Sequence, residues 1–342
     1  MTVRFESEPG TGEKSPKTWR VPATGWAVLG ALFIAFQLYL YTRWIASGNA
    51  TPTPIGEDTP PSWMVIAVWV HIAIGVVLVI WMFNHFLVKP WRQYRTVTGD
   101  GLLMLAVLTT FWGDLASNYL HYWVIYPTVW PNLGSWYNFI PGWQSPNGNL
   151  QPEATVFFLP AYAIVMFGFT SIAIAAMRRA ERKWTGISKL RLFLIAFGVL
   201  AGLDLVLEVV WVRLGLFVYP STIESLTLFP GHYYQFPVYE SILWGASWAG
   251  LACLRYFKND AGQTIVERGA ERITTNTRKQ LIIRFLALAA AANILLLAYN
   301  VEAALVSTQS GDWIPELSEK SYYRGGLCAP GAEYVCPPRL RN

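Results

Sequence analysis

Along this chain apolar residues come in long, nearly uninterrupted blocks, rather than in the alternation of a half-buried strand or the narrow stripe of a surface helix. Seven blocks, at about 23 to 45, 63 to 88, 101 to 124, 154 to 177, 190 to 213, 236 to 256 and 281 to 306, are each long enough to cross roughly 30 Å of hydrocarbon as an α-helix. The pattern predicts an all-α integral membrane protein. Its expected parts are a tail at 1–22, a seven-transmembrane helix bundle at 23–308 and a second tail at 309–342. The first block is too long for a signal-peptide core and lacks a small-residue cleavage site, so it is read as a retained span.

Polar side chains interrupt these blocks at helical spacing. In the fifth block Asp204 and Glu208 lie one turn apart with Trp211 on the same face, and in the third the stripe is Asp114, Asn118 and His121. The sixth carries Glu240, Trp244 and Ser247, and the seventh Asn293, Leu297 and Asn300. An ionised carboxylate at such depth costs at least a few kcal/mol, so by default it marks a functional site. Glu153, Glu240 and Glu302 stand near the outer boundary, where solvation by itself accounts for them. Glu302 also points away from the Asn293 and Asn300 face.

Charge sets the orientation. The N-terminal tail and the second, fourth and sixth loops hold 20 of the 26 basic residues, whereas the loops at 125–152 and 215–235 hold none. Positively charged loops stay in the cytoplasm, so the N-terminus is expected inside and the C-terminus outside. The polar groups above, with His71 of the second block, then all fall between the bilayer middle and the outer surface. The inner halves hold chiefly Asn84 and His85. One polar chamber in the outer half of the bundle is therefore expected.

Composition agrees with the membrane reading: 54% hydrophobic residues with only 14% charged do not describe a soluble domain of 342 residues. The net charge of +5 is spread over the inner loops, so no nucleic-acid partner is expected. Cys328 and Cys336 fall in the external tail, where an oxidising compartment favours a disulfide and two free thiols are the alternative.

Both outer loops are long and aromatic, the first with Trp130, Trp136, Tyr137, Phe139 and Trp143, the second with Phe217, Tyr219, Phe229, Tyr233 and Tyr234. They read either as an interfacial belt or as two lids over a cavity, with turns at Pro141–Gly142 and Pro230–Gly231. A weak internal echo joins them. Asp114 and Asp204 precede these turns by similar spacings, and Glu153 and Glu240 follow them, as in a degenerate helix-lid-helix duplication.

Asp204 and Glu208 share one face in a low-dielectric setting, where desolvation and mutual repulsion keep at least one of them protonated at neutral pH. A protonated carboxylic acid in a water-poor cavity is a general acid. Trp112, Trp211, Trp244 and the lid aromatics would stabilise a developing cation through their π faces. Asp114, Asp204 and Glu208 are thus the candidate catalytic residues. Asn118, His121, Trp112, Trp211, Glu240, Trp244, Asn293, Asn300 and His71 are candidate substrate contacts. The rival readings are a structural hydrogen-bonded knot of the fifth-block acids with Asn293 and Asn300, and satisfied interfacial histidines at His71 and His121.

No HxxxH, HxxHH or HExxH is present, so no metal is expected, although His71, His121 and His232 with an acid leave an unforeseen site open. Nucleotide and serine-hydrolase motifs are missing, and the seventh block has no lysine for a retinal Schiff base. No cofactor is expected. The substrate should be apolar or lipid-like and could enter from the membrane lipid.

The segment TFWGDLASNYLHYWVIYP, the loop NFIPGW and the acidic fifth block GLDLVLEVVWVRLGLFVYP resemble the AveC-type spirocyclase family of actinobacterial integral membrane proteins. That resemblance covers most of 23–308 and implies spiroketal formation, sometimes with dehydration, on a polyketide in secondary metabolism. It carries no catalytic residues over. Two other functions share the same carboxylates: an integral-membrane terpene cyclase, and a proton-coupled transporter or lipid-binding protein. A transporter should continue its polar path toward the cytoplasm, and this sequence shows little of one.

Overall fold

The computed structural model describes residues 21–154 and 167–324. The tail at 1–20, the first part of the fourth block and both Cys328 and Cys336 lie outside the described residues. Each of the seven blocks contains a helix. These are α1 (Pro22–Ala46), α2 (Ser62–Phe83), α3 (Gly99–Leu108), α4 (Phe169–Lys183), α5 (Lys189–Arg213), α6 (Val238–Tyr256) and α7 (Thr277–Ser307). Among the described residues, α1, α2 with its extension to Tyr94, α5 and α7 are long and apolar enough to cross a membrane. They mark a membrane protein, and a count of four such helices is what the structure supports.

The third block departs most from expectation. Thr109 and Thr110 turn their hydroxyls back onto the carbonyls of Ala106 and Val107, both at 2.6 Å, and α3 stops at Leu108. The chain continues as a 3₁₀ segment, Phe111–Asn118, in which Gly113 and Leu115 leave helical geometry. Asp114, Asn118 and His121 therefore do not form the expected stripe, because the 3.6-residue period ends before them. A broken helix inside a bilayer must have its backbone groups satisfied by neighbours. Gln37 Nε2 donates to Thr109 O at 2.5 Å, Asn300 Nδ2 to Gly113 O at 2.7 Å and Trp136 Nε1 to Trp112 O at 2.8 Å. Asn293 Nδ2 reaches Thr109 Oγ1 at 3.0 Å and its Oδ1 accepts from Trp112 Nε1 at 2.7 Å. The two asparagines thus hold the helix break.

Elsewhere the sequence pattern translates directly. The buried positions of α5 are Leu192, Ala196, Leu200, Asp204, Glu208 and Val212, an unbroken i+4 ridge of the kind that packs into a neighbour's groove. Its main neighbour is α6, and α1 lies along α7. Glycine permits both approaches. A Cβ on Gly245 would stand 2.8 Å from Ala201 Cβ, and one on Gly30 only 1.9 Å from Leu286 O. The alanine run Ala287–Ala292 of α7 is thus met by α1 of the same chain. Gly30→Val should force these helices apart and lower stability by about 1–3 kcal/mol; thermal unfolding in nanodiscs at an unchanged midpoint would contradict this contact.

The two ends of the bundle differ in chemistry. At one end Asp100 pairs with Arg255 (2.9 Å) and Lys258 (3.0 Å), and Glu267 with Arg284 (2.8 Å). At the other, the segments predicted as outer loops form one aromatic layer. Ile125 and Val218 bridge the two loops through paired backbone bonds of 2.9 Å. Residues 310–324, expected as part of a tail, pack into that layer: Trp313, Ile314, Leu317, Tyr322 and Tyr323 form a small core with Met64, Tyr122, Ile125 and Val218. Trp130, Trp136, Tyr137, Phe217 and Tyr219 are buried here, which is the interior of a folded cap rather than an interfacial belt. Phe229 remains exposed.

Candidate active site

Three carboxyl groups meet between α5 and α6. Asp204 and Glu208 occupy successive turns of the buried α5 ridge, and Glu240 sits in the first turn of α6; all three are at most 8% exposed. Each lies within electrostatic reach of another member of the group. Phenols supply the hydrogen bonds. Tyr219, arriving from the cap, donates to Glu208 Oε2, and Tyr299 of α7 donates to Glu240 Oε1 at 2.5 Å. Ser241 stands beside Asp204 and the Trp123 indole beside Glu240, both just outside hydrogen-bond geometry. Asp204 Oδ2 and Glu240 Oε2 consequently have no hydrogen-bond partner among the described residues. Buried polar atoms left in that condition are few in native proteins, and each calls for a reason.

Aromatic rings wall the group on the cap side. Trp123 meets Tyr219 edge-on at 5.9 Å and Tyr239 at 5.6 Å, and Tyr219 packs on Phe236 and Phe217. Gln235 Nε2 pins the Tyr219 carbonyl at 2.8 Å, fixing the segment that presents the phenol. The rings tied to the acids are Tyr219, Tyr299 and Trp123, with Tyr239 packed on Trp123, whereas Trp112 donates to Asn293. Trp211 meets His71 edge-on (5.5 Å), His71 also meets Trp130 edge-on (5.9 Å), and Trp244 packs on Trp248.

A second acid group lies under the loop at 125–152. Tyr137 donates to Glu153 Oε2 at 2.6 Å and accepts from the Leu115 backbone at 2.8 Å, and Asp114 is within hydrogen-bonding reach of Glu153. Glu153 is wholly buried, and that burial pushes its carboxyl up to about 8. Solvation therefore explains neither Glu153 nor Glu240, whereas Glu302 is exposed as expected. Asp114 interacts with Glu153, and Asp204 lies within electrostatic reach of Glu240.

The remaining expected contacts scatter. Asn118 Oδ1 accepts from the backbones of Trp123 (2.6 Å) and Val124 (3.0 Å) and its Nδ2 donates to Val124 O, which makes it a loop pin. His121 is exposed, and His232 stacks on Tyr234 at 4.9 Å. Among the described residues no three His, Cys, Asp or Glu side chains stand in a metal-ligating group. The expected knot of fifth-block acids with Asn293 and Asn300 is not formed either, since both asparagines serve the third block. One chamber is thus replaced by two acid groups. Tyr299, Ser241 and Trp123 carried no sequence signal, because their chemistry exists only through neighbours distant in the chain.

The sequence model of the family described as Spirocyclase AveC-like matches residues 91–323, a stretch that contains both acid groups and the cap. No curated protein and no solved structure gives a significant match to the chain.

Proposed function

Because the chain belongs to the AveC-like spirocyclase family, we propose that it is a cofactor-independent cyclase of a bacterial plasma membrane, in which Asp204, Glu208 and Glu240 deliver and recover a proton during ring closure. The observation that carries this reading is the gathering of three buried carboxyls, two of them with an oxygen that no donor among the described residues satisfies. On a hydroxyketone the chemistry balances without any other reagent. One hydroxyl adds to the carbonyl to give a hemiketal; the acid protonates the hemiketal hydroxyl, which leaves as water; the second hydroxyl attacks the resulting oxocarbenium ion and returns its proton to a carboxylate. The net reaction is dihydroxyketone to spiroketal plus water. If a carboxylate instead takes a proton from the carbon next to the oxocarbenium centre, the dehydrated product is a cyclic enol ether plus water.

Trp123, Tyr219 and Tyr239 support the cationic stage through their ring faces, and the burial of Trp123 and Tyr219 excludes bulk water that would otherwise trap it. Tyr219 and Tyr299 hold the acids in place and act as relays between cap, α6 and α7.

The test is direct. Purified protein in nanodiscs should convert an apolar dihydroxyketone to a product lighter by one water, with no added metal or nucleotide. Closure of a polyisoprenoid instead would assign the terpenoid substrate class. Recovery of every candidate unchanged, together with substrate-dependent proton flux in sealed vesicles, would replace catalysis with transport.

A further inference from the structure

At the end of the bundle that holds the Asp100 and Glu267 ion pairs, the basic side chains fall into two classes. Arg255, Lys258 and Arg284 lie against those two carboxylates. The hairpin joining α4 to α5 is different. Residues 178–191 carry six cations, Arg178, Arg179, Arg182, Lys183, Lys189 and Arg191, and one carboxylate, Glu181. All six are exposed, and among the described residues none of them forms an ion pair. Glu181 is engaged by Tyr256 of α6, whose phenol donates to it at 2.5 Å.

The two helices of the hairpin treat these charges differently. At the C-terminal end of α4 the helix dipole favours cations, which accounts for Arg182 and Lys183. Even there Arg178 and Arg182, and Arg179 and Lys183, stand one turn apart and repel each other. At the start of α5 the dipole opposes Lys189 and Arg191, and the first turn contains no acidic residue. A helix N-terminus flanked by cations favours an anion from outside the chain. Apolar neighbours fix the depth at which that anion lies. Leu190 and Leu194 of α5 are 67% and 53% exposed and Trp184 of the turn 52%, so the cations stand at the rim of the apolar belt. Lys183 Nζ lies 4.9 Å over the Trp184 ring, a pairing suited to head-group depth.

We propose that the α4–α5 hairpin is a docking surface for anionic phospholipids, whose phosphodiester heads supply the counterions that the chain itself lacks there. Such heads are held at this depth by their own acyl chains, and each basic residue near them adds to the attraction. A zwitterionic lipid is a poor ligand, because its choline cation meets the same arginines. Orienting the chain requires only an excess of basic residues at this end, which Arg92, Arg95, Arg278 and Lys279 also provide. The concentration of charge on one hairpin goes beyond that requirement. The surface rests on α5 as a membrane span and not on the chemistry assigned to Asp204, Glu208 and Glu240.

The experiment titrates the full chain, purified in detergent, with phosphatidylglycerol and with phosphatidylcholine of identical acyl chains, and counts retained lipid by native mass spectrometry. Phosphatidylglycerol should bind at least about tenfold more tightly. Each cation removed should cost about fivefold, so Arg179→Gln combined with Lys183→Gln should weaken phosphatidylglycerol about 25-fold and leave phosphatidylcholine unchanged. Both positions are exposed, and the thermal midpoint of this variant in phosphatidylcholine nanodiscs should hold. Should it fall, the comparison of the two lipids on the unaltered protein decides alone. Arg92→Gln combined with Arg278→Gln removes the same charge at the same end and should change phosphatidylglycerol affinity about twofold or less. Inorganic phosphate at matched concentration should leave the lipid in place. Equal affinity of the unaltered protein for the two lipids would overturn the surface, as would equal losses in the two variants or displacement of the lipid by phosphate. None of these readouts requires turnover, so an inactive cyclase and a hairpin without lipid preference remain distinguishable.

Discussion

Asp204→Asn and Glu240→Gln should each lower the rate of ring closure by about 10²–10⁴-fold, the range that general acid–base catalysis supplies. The amides preserve shape but cannot hand over a carboxyl proton. Their effect on folding should run the other way. Three acids crowd into a region at most 8% exposed, with Asp204 Oδ2 and Glu240 Oε2 unsatisfied, and removing an ionisable group from such a place relieves a desolvation cost. The thermal midpoint should hold or rise while product falls. Glu208→Gln belongs to the same set, because Gln still accepts from Tyr219. Retained activity in all three variants would remove the mechanism, and a loss of activity that merely followed a loss of folded protein would demote the acids to packing.

A second large effect concerns Glu153 and pH. Its ordinary value of 4.5 rises to about 8 in the folded protein, through burial, so the native state holds a proton that the unfolded chain releases. Stability from this group is complete below about pH 4.5 and drains away as pH climbs toward 8. The full difference is several kcal/mol at most, at about 1.4 kcal/mol for each unit. The thermal midpoint of the unaltered protein should therefore fall across that interval. Glu153→Gln should flatten the decline and raise the midpoint at pH 8, because a neutral amide can still accept from Tyr137. A slope identical in the two proteins would mean that Glu153 is solvated or paired otherwise. Activity offers a separate reading: Glu153 lies in the Asp114 group, so a changed activity profile in this variant would bring that group into the reaction.

Much of the frame is legible in one dimension. A block of apolar residues predicts a buried or lipid-facing helix wherever it occurs, and α1, α2, α5 and α7 fall where the blocks do. The acidic face of α5 is legible for the same reason, since Asp204 and Glu208 share the i+4 ridge with Leu192, Ala196 and Leu200. The third block shows the limit. Its hydropathy is that of a span, yet two threonines and a glycine end the α-helix at Leu108, and the face deduced for Asp114, Asn118 and His121 dissolves with it.

The local period of the chain by itself determined a helical membrane protein, its basic and aromatic ends, and the shared face of Asp204 and Glu208, because burial acts on each residue through composition and the 3.6-residue turn. Only the tertiary structure decided which polar groups meet: that Glu240 joins the α5 acids, that Tyr219 and Tyr299 bond to them, that Glu153 pairs with Asp114 and that Asn300 turns to a broken helix. Such partnerships depend on helix crossings set by close contacts at Gly30 and Gly245, and on loops folding back over the bundle. Those contacts join residues far apart in the chain, where periodicity carries no information.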